Sequence, residues 1–161
     1  MAGSLKAYLP CFEYMFVLAK GSIKTVNILY DRPNQEAGKI KNRARRKADG
    51  SHKAPEPRVV QPFGRRYNIW EYGKTTGWKD ASAHPAIFPE QLATDHIASW
   101  SNSGDTVLDP FLGSGTTGKM AVLANRRFIG IEMSEQYLND IATPRIMAAV
   151  QQRHKMAEPK Q

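Results

Sequence analysis

The chain has 161 residues, 41% hydrophobic and 24% charged, and carries a net charge of +8. Such a composition belongs to a folded chain of about one domain and excludes a wholly disordered or collagen-like one. No run approaches the about 18 consecutive apolar residues of a membrane span. Met1 to Pro10 lacks the apolar core of a signal peptide, and the lone Cys11 supports neither an internal disulfide nor a zinc set. A reducing cytoplasm is the simplest compartment.

Phe12-Glu-Tyr-Met-Phe-Val-Leu-Ala-Lys-Gly21 is apolar and aromatic and then stops at Lys-Gly. It reads as one buried strand followed by a turn. Val26 to Tyr30 fits a second short strand.

From Asp31 to Lys74 there are twelve Lys/Arg against five acids, +7 of the chain's +8. Clustered cations attract a polyanion by releasing its counterions; a solvated loop has the same composition. Four prolines, Pro33, Pro55, Pro57 and Pro62, and the lack of any sustained period make the stretch to about Lys79 read as irregular. Tyr67, Trp70, Tyr72 and Trp78 alternate with Arg65, Arg66, Lys74 and Lys79. That mixture suits phosphate contact and base stacking, or aromatics that anchor the segment to the core, the reading favoured for Trp70.

Pro89 suits the first turn of a helix that runs to about Trp100. Leu92, His96, Ile97 and Trp100 share one of its faces, which makes His96 a packed or capping histidine. Asn102 to Asp105 is a turn and Thr106 to Phe111 a short apolar strand. Gly113-Ser-Gly-Thr-Thr-Gly118 is a glycine loop, Lys119 to Asn125 a helix, and Arg127-Phe-Ile-Gly-Ile-Glu132 a second strand ending on an acid. Ser134 caps a helix from Glu135 towards Val150, which Pro144 should kink or interrupt. Residues after Gln151 are expected to fray. This strand–loop–helix–strand–helix order predicts an α/β fold, the opening half of a doubly wound sheet.

Glycines after a strand let the backbone approach a ligand, and an acid at the end of the next strand can accept ribose hydroxyls. Three ligands compete. Gly113 to Lys119 fits a triphosphate loop, but Met120 stands where a magnesium-binding hydroxyl belongs. Gly113, Gly115 and Gly118 have dinucleotide spacing, but Asp109 would repel a pyrophosphate. The same acid suits a cationic amino group, which favours S-adenosylmethionine.

Asp109-Pro-Phe-Leu-Gly-Ser-Gly-Thr-Thr117 resembles the cofactor motif of the DNA amino-methyltransferases acting on adenine N6 or cytosine N4. His84-Pro-Ala-Ile-Phe-Pro-Glu-Gln-Leu92 is similar to that family's cofactor-wall motif, and Phe128-Ile-Gly-Ile-Glu132 to its ribose-binding strand. The resemblance covers most of the chain and is carried chiefly by 84–137. The motif order is that of the permuted group, whose catalytic half precedes target recognition, and is closest to phage- and prophage-type enzymes.

The resemblance implies a partial Rossmann-like methyltransferase fold with a long basic irregular insertion. Residues 1–30 would be late strands of the catalytic half, 31–80 a target-recognition-like segment, 81–150 the cofactor subdomain and 151–161 a tail. Asp109, Pro110, Phe111, Gly113, Ser114, Gly115, Thr116 and Thr117 would hold the methionine end, and Glu132 the ribose. Met133 and Ile131 would line the adenine, with His84, Pro85, Phe88 and Pro89 as the opposite wall. Arg43, Arg45, Arg46, Lys47, Arg65 and Arg66 would contact DNA.

The family's (Asp/Asn/Ser)-Pro-Pro-aromatic tetrapeptide is absent, since the sequence has no Pro-Pro pair. No catalytic residue and no metal ligand is therefore expected. The chain reads as the C-terminal part of a bacterial or phage-encoded cytoplasmic methyltransferase, inactive alone. Its expected partners are DNA and a missing N-terminal half or a second copy. The alternative is a non-catalytic DNA- or cofactor-binding protein or a subunit of a split enzyme.

Overall fold

A computed structural model describes residues 12–73 and 87–157. Its centre is one βαβ unit. Strands β5 (Thr106–Asp109) and β6 (Arg127–Gly130) are parallel, in register from Thr106↔Arg127 to Asp109↔Gly130, and joined through helix α2 (Thr116–Leu123). Parallel strands with a crossover helix make the fold α/β, as the glycine-loop pattern predicts.

Both strands alternate. Val107 and Phe128 turn inward onto Ala93 and Ile97 of helix α1 (Glu90–Trp100) and Ala121 of α2. Leu108, Ile129 and Ile131 remain more than half exposed on the other side. The sheet therefore has one covered apolar face and one bare one. Gly118 lets α2 lie close: an added Cβ would stand 2.6 Å from both Phe128 Cε1 and Ile146 Cδ1. Helix α2 ends with Asn125 at φ +61° while the Arg126 N–H donates to Ala121 O at 2.8 Å. A left-handed residue with this bond closes a helix and satisfies its last carbonyls.

Beyond β6, Ser134 Oγ accepts from the Tyr137 N–H at 3.2 Å and caps α3 (Glu135–Tyr137), as expected. A π turn (Leu138–Ala142) then leads into α4 (Thr143–Ala157). Pro144 explains it. Proline lacks an N–H and its ring collides with the carbonyl four residues back, and a wide π turn just ahead absorbs both without ending the helix. The helix continues to Ala157, so the frayed tail expected after Gln151 is corrected. Residues 151–157 are mostly good helix formers, and Arg153 binds Asn125 Oδ1.

Three further expectations are corrected. Phe12 to Gly21 is not a buried strand. It forms no strand and has no strand partner among the described residues, and Phe12, Tyr14, Met15, Phe16 and Leu18 are exposed. Val26 to Tyr30 is not a strand either. Asn27 instead serves α1, donating its N–H to Ser99 O (2.8 Å) and its Nδ2 to Ala98 O and Ser101 O (3.0 Å each). These are carbonyls that a helix end leaves without partners.

The basic stretch, finally, is not irregular. Strands β2 (Ile40–Arg46) and β3 (His52–Val59) form an antiparallel hairpin. The register slips between Arg43 and Arg45, where Ala54 and Pro55 face Ala44 alone. This bulge sits where Pro55 has no N–H to give the ladder. A smaller pair, β1 (Arg32–Pro33) and β4 (Phe63–Gly64), lies at the hairpin's root. Among the described residues no helix is long and apolar enough to cross a membrane.

Candidate functional site

Asp109 closes β5 and the chain turns at once. Asp109 Oδ1 accepts the Phe111 N–H at 3.0 Å, and the Ile131 N–H donates to Asp109 O at 2.9 Å. The Leu112 N–H donates to Ile131 O and the Gly115 N–H to Leu112 O, both at 2.9 Å. Gly113 and Gly115 have φ of +52° and +77°, a region that side chains with a Cβ resist. Gly115 also touches backbone: its Cβ would stand 3.0 Å from Ala142 Cα. Ser114 and Thr116 are buried. The loop thus leads directly into α2, which begins at Thr116 rather than the expected Lys119.

Glu132 reaches across to this loop. Its Oε2 accepts the Gly113 N–H at 2.7 Å and its Oε1 the Ser134 N–H at 2.9 Å. The sequence-predicted Asp109, Gly113 to Thr117 and Glu132 therefore gather at the carboxyl ends of two neighbouring parallel strands, where open α/β sheets bind ligands. Pro110 is exposed, and Phe111 and Met133 stand almost fully in solvent, 88% and 98% exposed. Phe88 and Thr117, with Leu92, Ile97 and Val107, line a separate cleft of about 550 Å³ beside α1. Pro89 precedes α1 as its cap. His84 and Pro85 lie outside the described residues.

Three residues outside the expected site set, Arg145, Glu90 and Lys119, hold this architecture. Arg145 of α4 is buried; its Nη1 donates to Ser114 O at 2.6 Å and its Nη2 to Glu90 Oε1 at 3.0 Å. The same Glu90 oxygen accepts Lys119 Nζ at 2.7 Å. Lys119, the lysine of a would-be triphosphate loop, is thus engaged by an acid. A signal for Arg145 existed: it shares the face of Ile141, Ala142 and Ala149, all buried, and a cation within an apolar stripe requires partners.

The basic segment is anchored by Arg66. Its guanidinium pairs with Asp31 and with the buried Asp95, and lies 4.9 Å from the centroid of Trp70. Arg66, expected at the DNA surface, thus makes hydrogen bonds to Asp31 and Asp95 through Nε, Nη1 and Nη2. Asp95 also accepts from Tyr72 Oη at 2.9 Å and Gln91 Nε2 at 2.8 Å. Burial first, then the bond to Asp95, push the Tyr72 phenol up to about 12. The hydrogen bond from Arg66 holds the Asp31 carboxyl below its ordinary range.

Trp70 packs 4.7 Å from the His96 ring, an anchor as expected. His96 is a packed histidine: its Nδ1 accepts from Trp100 Nε1 at 3.3 Å, and burial lowers its pKa. Arg65 remains exposed, with Nε 3.1 Å from Tyr30 Oη. Arg43, Arg45 and Arg46 lie along β2, and Lys47 begins the hairpin turn, its N–H donating to Ser51 O at 2.7 Å. At the root, Arg32, Lys41, Arg58, Tyr30, Phe63 and Tyr67 line a cavity of about 920 Å³.

A family model described as DNA methylase, for N6 and N4 amino-methyltransferases, matches residues 2–143. The orphan methyltransferase M.BamHII of Bacillus amyloliquefaciens is 49% identical over 146 residues, 86% of this chain and 55% of that protein. The type II methyltransferase M.ScaI of Streptomyces caespitosus is 36% identical over 137 residues, 81% of this chain and 38% of that one. Among solved structures, the M1.HpyAVI–SAM complex is 32% identical and covers 50% of this chain and 42% of its own, with a TM-score of 0.43. The chain thus spans about half the length, or less, of these relatives. Matched over 142 of its 161 positions, it belongs to the N6/N4 DNA methylase family, the DNA amino-methyltransferases.

Proposed function

We propose that this chain is the C-terminal, cofactor-binding part of an S-adenosylmethionine-dependent DNA methyltransferase that modifies an exocyclic amino group, adenine N6 or cytosine N4. The observation that carries the reading is the meeting of Asp109, the glycine loop and Glu132 at the ends of β5 and β6, tied by the Gly113–Glu132 hydrogen bond.

The residues fit the group. Asp109 Oδ2 makes no hydrogen bond among the described residues and suits an ammonium; Gly113 and Gly115, at positive φ, give the loop the tight turn that brings its backbone back past the end of β5. Glu132 follows β6 directly, the position from which an acid accepts ribose hydroxyls in nucleoside-binding α/β folds. Exposed Met133 and Ile131 supply apolar surface for a base. By the family resemblance, Phe88 and Pro89 at the start of α1 would belong to the opposite wall. When bound, the cofactor supplies a sulfonium methyl. The chain's part is to hold its two ends, the loop and Asp109 at the amino acid and Glu132 at the sugar.

The DNA-facing surface is the β2–β3 hairpin with Arg43, Arg45, Arg46 and Lys47, joined by Arg65. A bacterial cytoplasm, where duplex DNA is reached directly, is the compartment this reading implies, in keeping with the bacterial relatives. The amino group of a base is a weak nucleophile that must be held by acceptors and stacked. The Asp-Pro-Pro-Tyr-type tetrapeptide that would do so is missing from these 161 residues, so it must be supplied from outside them.

The test is transfer of labelled methyl groups to mixed-sequence DNA. The chain alone should give no turnover, and turnover should appear when a segment carrying the tetrapeptide is added. Turnover by the chain alone would overturn the assignment. A non-catalytic DNA- or cofactor-binding role is the second reading, favoured by the same missing tetrapeptide.

A further inference from the structure

The carbonyl of Ser114 turns away from the ligand side of the loop and into the protein, where Arg145 Nη1 meets it at 2.6 Å. The peptide that follows is fixed from its other side, since the Gly115 N–H donates to Leu112 O at 2.9 Å. One peptide plane therefore has both polar groups bound, and its orientation decides which way the Ser114–Thr116 backbone faces. The guanidinium is itself held by Glu90, whose Oε1 also takes Lys119 of α2. Glu90 is adjacent to Pro89 and two residues from Phe88. A single carboxylate oxygen thus links the loop's anchor to the candidate wall, through three helices.

We propose that Arg145 and Glu90 are positioning residues that set the Ser114–Thr116 backbone and, through it, the affinity for the amino-acid end of the cofactor. The inference rests on the cofactor reading above. Neither residue touches the ligand; both act through the loop. Arginine suits the task because its planar fork spans two acceptors at once, here a carbonyl and a carboxylate, which a lysine ammonium cannot reproduce.

The test compares two ligands on the full chain by calorimetry: S-adenosylmethionine and 5′-methylthioadenosine, which lacks the amino-acid end. Arg145→Lys should bind S-adenosylmethionine roughly ten-fold more weakly, and methylthioadenosine within about two-fold of the parent. Glu90→Gln, at a partly exposed position that spares the fold, should shift the same ligand in the same direction. Equal weakening of both ligands would mean a merely structural role, and parental affinity in Arg145→Lys would mean that charge alone suffices; either overturns the inference. A parent chain that binds neither ligand would instead overturn the cofactor reading. Hydrogen exchange then decides the positioning claim by itself: the Gly115 amide should exchange faster in Arg145→Lys at unchanged melting, and an unchanged rate would refute it.

Discussion

Gly113 donates its backbone N–H to Glu132 Oε2 at 2.7 Å, so the acid that follows the second strand also holds the first glycine of the loop after the first strand. The two features that mark the site in the sequence are one connected object. Glu132 shapes the loop, and in the proposed site it would also offer acceptors to the ribose. Glu132 and Arg145 thus hold two successive residues of the loop, Gly113 by its N–H and Ser114 by its carbonyl.

The Arg66 clamp is expected to matter for stability rather than for DNA. Arg66→Ala strips the cation from Asp95, which is 5% exposed. Leaving a buried carboxylate without its partner costs about 3–5 kcal/mol. Chemical denaturation should show this loss, whereas Arg65→Ala should leave stability unchanged.

The same cluster gives a pH signature. Tyr72 keeps its proton to about 12 when folded against an ordinary 10.0. A raised folded pKa contributes stability in full below the unfolded value and loses it as pH rises through the folded one. Stability from Tyr72 should therefore fall between about pH 10 and 12. Ultraviolet titration of the phenols should find one late-ionising tyrosine that Tyr72→Phe removes.

Much of the βαβ unit was legible because its signals are local: an apolar run, glycines that need positive φ, and Ser134 ahead of a helix. The hairpin was not, since β3 is exposed throughout and a ribbon with neither face buried has no hydrophobic period to read. Phe12 to Gly21 misled for the opposite reason. Its composition demands burial, but strandhood needs a neighbour, and no described strand pairs with it. Arg145 and Asp95 depend on residues far off in sequence, Ser114 and Arg66, which no local window contains.

The hairpin's contact with DNA is expected to be electrostatic. Replacing Arg43, Arg45, Arg46 and Lys47 with Ala should weaken binding to all sequences alike. Each lost phosphate contact should remove about 0.9 from the log–log salt slope on duplex DNA. Loss on one sequence only would mean that these residues read bases.

Packing at Gly118 should tolerate no side chain. In Gly118→Ala the new methyl would sit 2.6 Å from Phe128 Cε1 and Ile146 Cδ1. Overpacking of this kind costs about 1–3 kcal/mol, despite alanine's better helix propensity. A lower denaturation midpoint is the expected result.

The most direct test of the account is the affinity of the folded chain for S-adenosylmethionine, with and without the Glu132 carboxylate. Hydrogen bonds to a charged group are worth roughly 1.5–3 kcal/mol, so calorimetry on Glu132→Ala should show binding about ten-fold weaker or more. An unchanged dissociation constant in a folded Glu132→Ala variant would contradict the claim that the loop and this acid form the cofactor site.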